Sequence, residues 1–167
     1  TQYDSTSNNN DTTTISVATQ GTTSGALCGN DYTRGSGHYI EIDDNATLDM
    51  GATDDFTIEF WHIPDDGGTQ NVWLAKKNDI TNNEEAGYTL YNWTDSKIYF
   101  KLGDGTDGYQ CTSGNAYTNG NLYYRGFVCD KDVGIILYEN GANVAVGWSY
   151  GTYANVGDMT NALKLRL

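Results

Sequence analysis

The sequence is poor in basic residues. Nine lysines and arginines stand against 22 aspartates and glutamates, which gives a formal net charge of −13 at pH 7. Such a surface repels phosphate backbones and anionic lipid surfaces, so nucleic acid is not an expected partner. The sequence also lacks a run of about 18 apolar residues, the length that a membrane-spanning helix requires, so no membrane insertion is expected.

Histidine and cysteine are scarce as well. Because His38 and His62 are the only histidines, a Ser–His–Asp or Cys–His catalytic site has few possible members. The cysteines, Cys28, Cys111 and Cys129, are too dispersed for a zinc site, and their odd number allows at most one internal disulfide. Buried free thiols on strands, a Cys111–Cys129 bridge and an intermolecular bond all stay open.

No segment shows a helical period, and short alternating segments separated by turns take its place. In Asp55–Trp61, the side chains of Phe56, Ile58 and Phe60 fall on one face, suited to a core. Thr57, Glu59 and Trp61 fall on the other face, suited to water or a partner. Many short strands with turns every 8–12 residues or so predict an antiparallel β-sandwich or barrel.

The turns that separate these segments are rich in Gly, Asn and Asp. Asn140-Gly141 is a strong hairpin signal between strands at residues 135–139 and 143–148, because both turn positions tolerate positive φ. Residues 1–24 are dominated by Thr, Ser, Asn and Gln, which predicts an extended polar arm or linker. The remainder, residues 25–167, has the length of one domain.

Two strands and the link between them carry a family resemblance. His38–Ile42, the link that ends in Gly51 and the segment Asp55–Trp61 follow one another in an order that resembles the opening of the laminin-G-like jelly rolls of the concanavalin A-like lectin/glucanase superfamily. Gly87–Tyr91 and the hairpin Gly134–Gly141 are similar to later family segments. The resemblance covers residues 26–167 and implies a concanavalin A-like, antiparallel β-sandwich. That fold hosts lectins, adhesins, structural modules and hydrolases.

The sequence departs from the family pattern at two places. Leu122–Arg125 stands where relatives carry Trp-His-His. Relatives also continue with one more strand after the segment that Ala162–Arg166 resembles, whereas this sequence ends at Leu167. That strand is expected to be absent, disordered or supplied by a neighbour, and its loss would open a sheet edge suited to assembly.

The acidic segment Glu41–Asp44 is similar to the Glu-x-Asp-x-x-Glu strand of the superfamily's retaining glucanases. Retention requires two carboxyl groups about 5–5.5 Å apart across the sugar. Glu41 and Asp43 have the period-two spacing, but the third acid is missing because Asn45 follows Asp44. We therefore expect no catalytic residues, and hydrolysis of β-glucans is the least favoured of the functions considered.

Calcium is the one cofactor that the composition favours, because hard oxygen ligands cluster in several turns. Among these clusters, Asp104 and Asp107 are the preferred ligands. The alternative is that these aspartates cap turns and hold no ion.

Aromatic residues beside polar ones form the candidate carbohydrate site. Trp93 lies in a predicted turn next to Asn92, where a core tryptophan is not expected. A second aromatic run contains Trp148, Tyr150 and Tyr153. Both could stack on sugar rings and leave room for directional hydrogen bonds. The alternative is packing at the end of the sandwich or contact with a neighbouring subunit.

The resemblance to laminin-G-like modules, which also occur on phage virions, implies a non-catalytic surface module of a virion or other extracellular assembly, of the capsid-decoration, fibre or adhesin type, and the polar arm and the few lysines are compatible with it. Its expected partners are glycans or a host-surface receptor, together with neighbouring subunits. A free-standing secreted lectin module is the alternative. Trp61 and Trp73 are assigned structural roles, and the expected location is extracellular or at a virion surface.

Overall fold

The computed structural model describes residues 12–16, 19–21, 31–33, 39–64 and 70–167, with side chains from Tyr39 onward except that of Trp148. Within these ranges, the strands in chain order are β1 Thr12–Ser16, β2 Thr19–Gly21, β3 Asp31–Thr33, β4 Tyr39–Ile42, β5 Phe56–His62, β6 Asn71–Ala75, β7 Gly87–Asn92, β8 Ile98–Gly103, β9 Gly108–Ser113, β10 Tyr123–Asp130, β11 Gly134–Glu139, β12 Ala142–Val144, β13 Val146–Tyr150 and β14 Leu165–Arg166. Short 3₁₀ turns lie at Ala46–Leu48 and Tyr153–Asn155.

The strands form two antiparallel sheets and a separate pair. The larger sheet has the order β1-β4-β14-β6-β7-β8-β9-β13, and the smaller sheet has the order β12-β11-β10-β5. Strands β2 and β3 pair with each other. The expected antiparallel β-sandwich is therefore confirmed. No helix in the described part of the chain is long and apolar enough to cross a membrane.

The core lies between the two sheets and is built by alternation along the strands. Phe100 of β8 and Phe127 of β10 are fully buried, and their ring centroids are 5.1 Å apart. Strand β5 alternates between partly buried and exposed residues, with Phe56, Ile58 and Phe60 packed against the core. Its two-faced pattern, read from the sequence, is confirmed.

Cysteines contribute to this core as thiols. Cys111 of β9 and Cys129 of β10 are both free and fully buried, and burial raises the pKa of each thiol. The free-thiol interpretation is confirmed for these two residues, and the Cys111–Cys129 bridge is wrong. Cys28 lies outside the described residues.

The Asn140-Gly141 turn has the expected geometry, because Asn140 has φ 50° and Gly141 has φ 83°. It joins β11 to β12 as predicted. The single strand expected over residues 143–148 is two strands in the structure, however. It divides at Ala145 into β12, which belongs to the smaller sheet, and β13, which forms an edge of the larger one.

The C-terminal strand β14 is not at a sheet edge. Arg166 pairs with Glu41 on one side and with Ala75 on the other, and Leu167 exchanges two backbone hydrogen bonds of 3.0 Å with Ile40. Strand β14 thus has a neighbour on each side and is not itself an open edge, and the expectation about a further strand stays a prediction. The outer neighbour of β4 is β1, so residues Thr12–Ser16 of the predicted polar arm add a strand to the larger sheet. The division at residues 24 and 25 stays a prediction.

Candidate functional site

The outward face of the larger sheet carries rows of aromatic and polar side chains, most of which are buried. Tyr91 of β7 lies opposite Tyr99 of β8. In the next outward row, Lys101 lies between Thr89 and Gln110. Because side chains alternate along a strand and directly opposed residues share a face, these five residues point away from the core. Their neighbours along β7 and β8 fill the core instead.

A groove opens on this face. Its volume is about 270 Å³, near the lower end of the roughly 300–1,000 Å³ typical of small-ligand pockets. Strand and turn residues meet a loop across it, and the lining residues are Gln70, Ile80, Thr81, Tyr91, Trp93, Tyr99 and Lys101. The loop is held to the sheet because the Lys101 ammonium donates a hydrogen bond of 2.6 Å to the Ile80 carbonyl oxygen.

The aromatic rings of the groove support one another. Tyr91 and Tyr99 stack with centroids 5.0 Å apart and an interplanar angle of 23°. Trp93 meets Tyr91 edge to face at 6.5 Å, and it is 42% exposed. The Tyr99 hydroxyl donates to Asp95 Oδ2 at 3.1 Å, which fixes that ring from the turn between β7 and β8. The rings are thus held in place while the indole of Trp93 stays accessible.

Hydrogen-bonding groups in the groove keep defined protonation states. Burial raises the pKa of Tyr91 and Tyr99, and the neighbouring Asp95 raises both further, so the phenols stay protonated at neutral pH. Burial lowers the pKa of Lys101, whereas Asp79 opposes that change. The Lys101 ammonium lies 5.3 Å from the centroid of the Tyr91 ring. Tyr91 and Lys101 are only 4% and 5% exposed, so the accessible lining of the groove consists mainly of Trp93, part of Tyr99 and the polar side chains of Gln70 and Thr81.

The structure separates Asn92 from Trp93. Trp93 lines the groove, whereas Asn92 is fully buried at the end of β7, opposite the core residue Ile98. Because side chains alternate along β7, Asn92 points inward although Tyr91, one residue earlier, points outward. The expected role of Asn92 in sugar contact is thus corrected.

The second aromatic run is divided in the same way. Tyr150 is 41% exposed and extends the outward row of Lys101, because it lies opposite Gln110. Tyr153 is buried, its ring is tilted against that of Tyr109 with centroids 5.9 Å apart, and the Lys131 ammonium lies 4.3 Å from its ring centroid. Tyr153 is therefore a core residue and not part of a ligand surface. The side chain of Trp148 lies outside the described residues.

The proposed calcium ligands form a hydrogen-bonded turn. Asp104 Oδ1 accepts from the backbone N–H groups of Thr106 and Asp107 at 2.7 Å, and Oδ2 accepts from that of Gly157 at 2.5 Å. Burial raises the pKa of Asp104, but these backbone donors outweigh it and lower the pKa overall. In the part of the chain that the structure describes, no group of three or more His, Cys, Asp or Glu side chains could hold a metal ion. Calcium at Asp104 and Asp107 stays a prediction.

The acidic pair considered for catalysis is engaged in ion pairs. Glu41 accepts a hydrogen bond of 2.8 Å from Arg166 Nε, and Asp43 pairs with the Lys164 ammonium at 2.8 Å. Lys164 also lies 3.5 Å from Glu41. These ion pairs join β4 to the C-terminal segment. The carboxylates of Glu41 and Asp43 thus stabilise the fold.

Trp61 is the largest departure from the expected roles. It is 67% exposed on the outward face of the smaller sheet, so the structural role assigned to it is wrong. Trp73 does pack against the core, and that assignment is confirmed. The signal for Trp61 was present in the alternation of β5, which places it with Thr57 and Glu59 and away from the core.

A partly buried aromatic cluster surrounds His62 at one end of the sandwich. The imidazole lies 4.6 Å from Trp73 and 5.5 Å from Tyr123 between ring centroids. Neither ring nitrogen has a hydrogen-bond partner among the described residues. Burial, and after it the positive charge of Arg125, lowers the pKa of His62 from 6.5 to about 4. His62 is therefore neutral in the folded protein at pH 7.

His62 should make the domain acid-sensitive. The unfolded chain takes up a proton near pH 6.5, whereas the folded chain resists protonation until about pH 4, so stability is lost as the pH falls through this window. Between pH 7 and pH 4.5, the free energy of unfolding of His62→Phe should fall by roughly 2 kcal/mol less than that of the wild type. This figure allows for partial exposure of the ring. Urea unfolding of both proteins at pH 7 and pH 4.5 measures the difference. Equal pH dependence in the two proteins would contradict the prediction.

Comparison with known proteins agrees with the fold. Residues 34–163 match the model of the concanavalin A-like lectin/glucanases superfamily, so the chain belongs to this superfamily, in its laminin-G-like branch. A search of curated proteins found no match.

Two solved structures share the fold at low sequence identity. The binding domain of Paraclostridial Mosquitocidal Protein 1 is similar with a TM-score of 0.75 and 14% identity, over 98% of this chain and 40% of that one. The binding domain of Botulinum Neurotoxin serotype G is similar with a TM-score of 0.69 and 11% identity, over 98% of this chain and 42% of that one. This chain thus spans about two fifths of each neighbour.

Proposed function

We propose that this domain is a non-catalytic module that binds glycans through the groove on the larger sheet. The observation that carries the proposal is the exposed Trp93 beside the stacked Tyr91 and Tyr99. Sugar rings present apolar C–H faces that pack on aromatic rings, with hydroxyl groups at their edges that exchange hydrogen bonds. The exposed side chains of Gln70 and Thr81 and the partly exposed phenol of Tyr99 supply such partners.

The size of the groove indicates the length of the ligand. A volume of about 270 Å³ suits one or two sugar units. Tyr150 lies two strands from Lys101 in the same outward row, roughly 10 Å away at the usual spacing of strands. A longer glycan bound at Trp93 would extend towards it.

Two further observations support binding over hydrolysis. Glu41 and Asp43 are held in ion pairs with Arg166 and Lys164, away from the groove. The two structural neighbours are both named as binding domains. We place the module outside the cell, where laminin-G-like binding domains are typically found. Its expected attachment to a virion or other assembly stays a prediction, and the mass of the protein in solution tests it.

Replacing Trp93 should weaken glycan binding strongly without unfolding the domain. A glycan array identifies the strongest ligand of the wild-type chain, and calorimetry then compares the variants. We expect Trp93→Ala to weaken that ligand by about 10- to 30-fold, the loss of one stacking platform. Because Trp93 is exposed, the melting temperature of Trp93→Ala should differ from that of the wild type by less than about 2 °C.

Trp61→Ala is the matched control, since it removes an exposed tryptophan from the opposite sheet. It should leave glycan affinity unchanged, and the glycan should be recovered intact after incubation. Unchanged affinity in Trp93→Ala would contradict the proposed site, and a cleaved glycan would contradict its non-catalytic character. A loss of several degrees in the melting temperature of Trp93→Ala would mark this tryptophan as a core residue.

A further inference from the structure

The outward face of the smaller sheet carries an apolar patch near its edge strand β5. Trp61 is 67% exposed, Leu122 55% and Ile63 44%. Tyr124 lies directly opposite Trp61 across the β5–β10 pair, with ring centroids 5.0 Å apart. We call these four residues the Trp61 patch. Single exposed apolar residues are ordinary on protein surfaces, but adjacent ones at a sheet edge mark an interaction site.

A carboxylate adjoins the Trp61 patch. Glu59 is exposed two residues before Trp61 on the same face of β5, and its Oε2 accepts a hydrogen bond of 2.5 Å from the Tyr124 hydroxyl. This bond orients the phenol and the carboxylate together. Oε1 of Glu59 receives no hydrogen bond from the described residues and is available to a donor from outside.

The charge on this face has one sign. The four strands of the smaller sheet contain one basic residue, Arg125, which is fully buried and paired with Glu139. Glu59 and Asp130 occupy outward positions. A second copy of the chain would bring the same carboxylates and a net charge of −13 against these, which opposes self-association through this face.

We propose that the Trp61 patch binds a basic, partly apolar segment of a protein partner. An arginine of that segment stacks on the indole of Trp61 and pairs with Glu59 Oε1, while an adjacent aliphatic side chain covers Leu122 and Ile63. A guanidinium suits both contacts, because it is planar, weakly hydrated and able to form paired hydrogen bonds with a carboxylate. The patch lies on the opposite sheet from the groove, so this proposal is independent of glycan binding.

A pair of peptides that differ only in charge tests the proposal. One is an acetylated, amidated peptide of alternating leucine and arginine, and the other has citrulline in place of each arginine, which keeps the shape and removes the charge. We expect calorimetry to give at least about tenfold tighter binding of the arginine peptide to the wild-type domain. Trp61→Ala and Glu59→Gln should each remove most of that preference, whereas Trp93→Ala should keep it.

Several outcomes overturn the proposal. Equal binding of the two peptides would show that the guanidinium is not recognised, and no binding of either would show that the patch does not take a basic segment. A charge preference that survives in both Trp61→Ala and Glu59→Gln would place the contact elsewhere on the acidic surface. Binding of zwitterionic phosphatidylcholine vesicles that depends on Trp61, without a peptide preference, would identify a lipid surface instead. Thermal melts of each variant confirm that the fold is intact.

Discussion

Replacing Lys76 by methionine should destabilise the domain by about 3–5 kcal/mol. The Lys76 side chain is fully buried, and its ammonium lies 2.8 Å from Asp44 Oδ1 and 2.9 Å from Asp49 Oδ1. It also donates to the backbone oxygens of Asn161 and Leu163 at 2.7 and 3.1 Å. Methionine keeps the length of the side chain but leaves the carboxylate of Asp49 and two carbonyl groups without their shared donor.

A second lysine provides the control for this experiment. Lys164 also pairs with a carboxylate at 2.8 Å, that of Asp43, but its side chain is exposed. Lys164→Met should leave the urea midpoint nearly unchanged, because exposed ion pairs contribute little. Equilibrium unfolding in urea compares the two variants. Equal midpoints for Lys76→Met and the wild type would mean that Lys76 does not hold the C-terminal segment to the sheet.

Replacing Gly87 by alanine should be the most damaging of the small substitutions, with a loss of more than about 4 kcal/mol. Gly87 has φ +118°, a conformation that L side chains rarely adopt. A Cβ atom there would overlap the backbone oxygen of Lys76 and lie 2.6 Å from Asn161 Nδ2. That amide donates to the carbonyl oxygens of Lys76 and Ala86, so a shift would break the same junction that Lys76 stabilises.

Gly134 separates the two causes of this loss. Its φ of +116° matches that of Gly87, but no atom lies within 4 Å of the Cβ that alanine would add. Gly134→Ala should therefore cost only the backbone strain, about 1–2 kcal/mol. The difference between the two variants in urea unfolding measures the steric part. If Gly87→Ala and Gly134→Ala lose similar amounts of unfolding free energy, backbone strain alone causes the loss and the packing around Gly87 is loose.

The sandwich was predictable because its local signals agree with its tertiary structure. The alternation of β5 and the Asn140-Gly141 turn each specify one arrangement, and the structure has it. The strand after that turn was predicted as a single element because its alternation continues through residues 143–148. At Ala145 the chain passes from the smaller sheet to the larger one. The alternation of side chains indicates which face a residue occupies, but it does not indicate which sheet the strand joins.

The candidate site was predictable only in part. Trp93 could be placed in a turn from its polar neighbours, and the alternation of β8 puts Tyr99 and Lys101 on one face. The inward direction of Asn92 depends on its register with Ile98, and burial of Tyr153 depends on distant Tyr109. The loop that carries Ile80 and Thr81 has no periodic signal, and its position over the sheet follows from the hydrogen bond to Lys101. Such long-range contacts cannot be read from neighbouring residues.

The buried ionic contacts were missed for the same reason. The partners of Lys76 are Asp44, Asp49 and Asn161, which lie 27 or more residues away in sequence. A lysine in a strand otherwise indicates a solvent-facing position. Only the closure of the larger sheet by the C-terminal segment brings these oxygens around its ammonium.

The indole N–H resonances of the protein provide the most direct test of the glycan-binding groove. The chain has four tryptophans, so a ¹H–¹⁵N spectrum contains four indole signals that single substitutions assign. Titration with the strongest glycan from the array should shift the signal of Trp93, which lines the groove, and leave those of Trp61 and Trp73 in place. A saturating titration that shifts Trp61 and not Trp93, or that shifts none of the four, would contradict glycan binding at the groove.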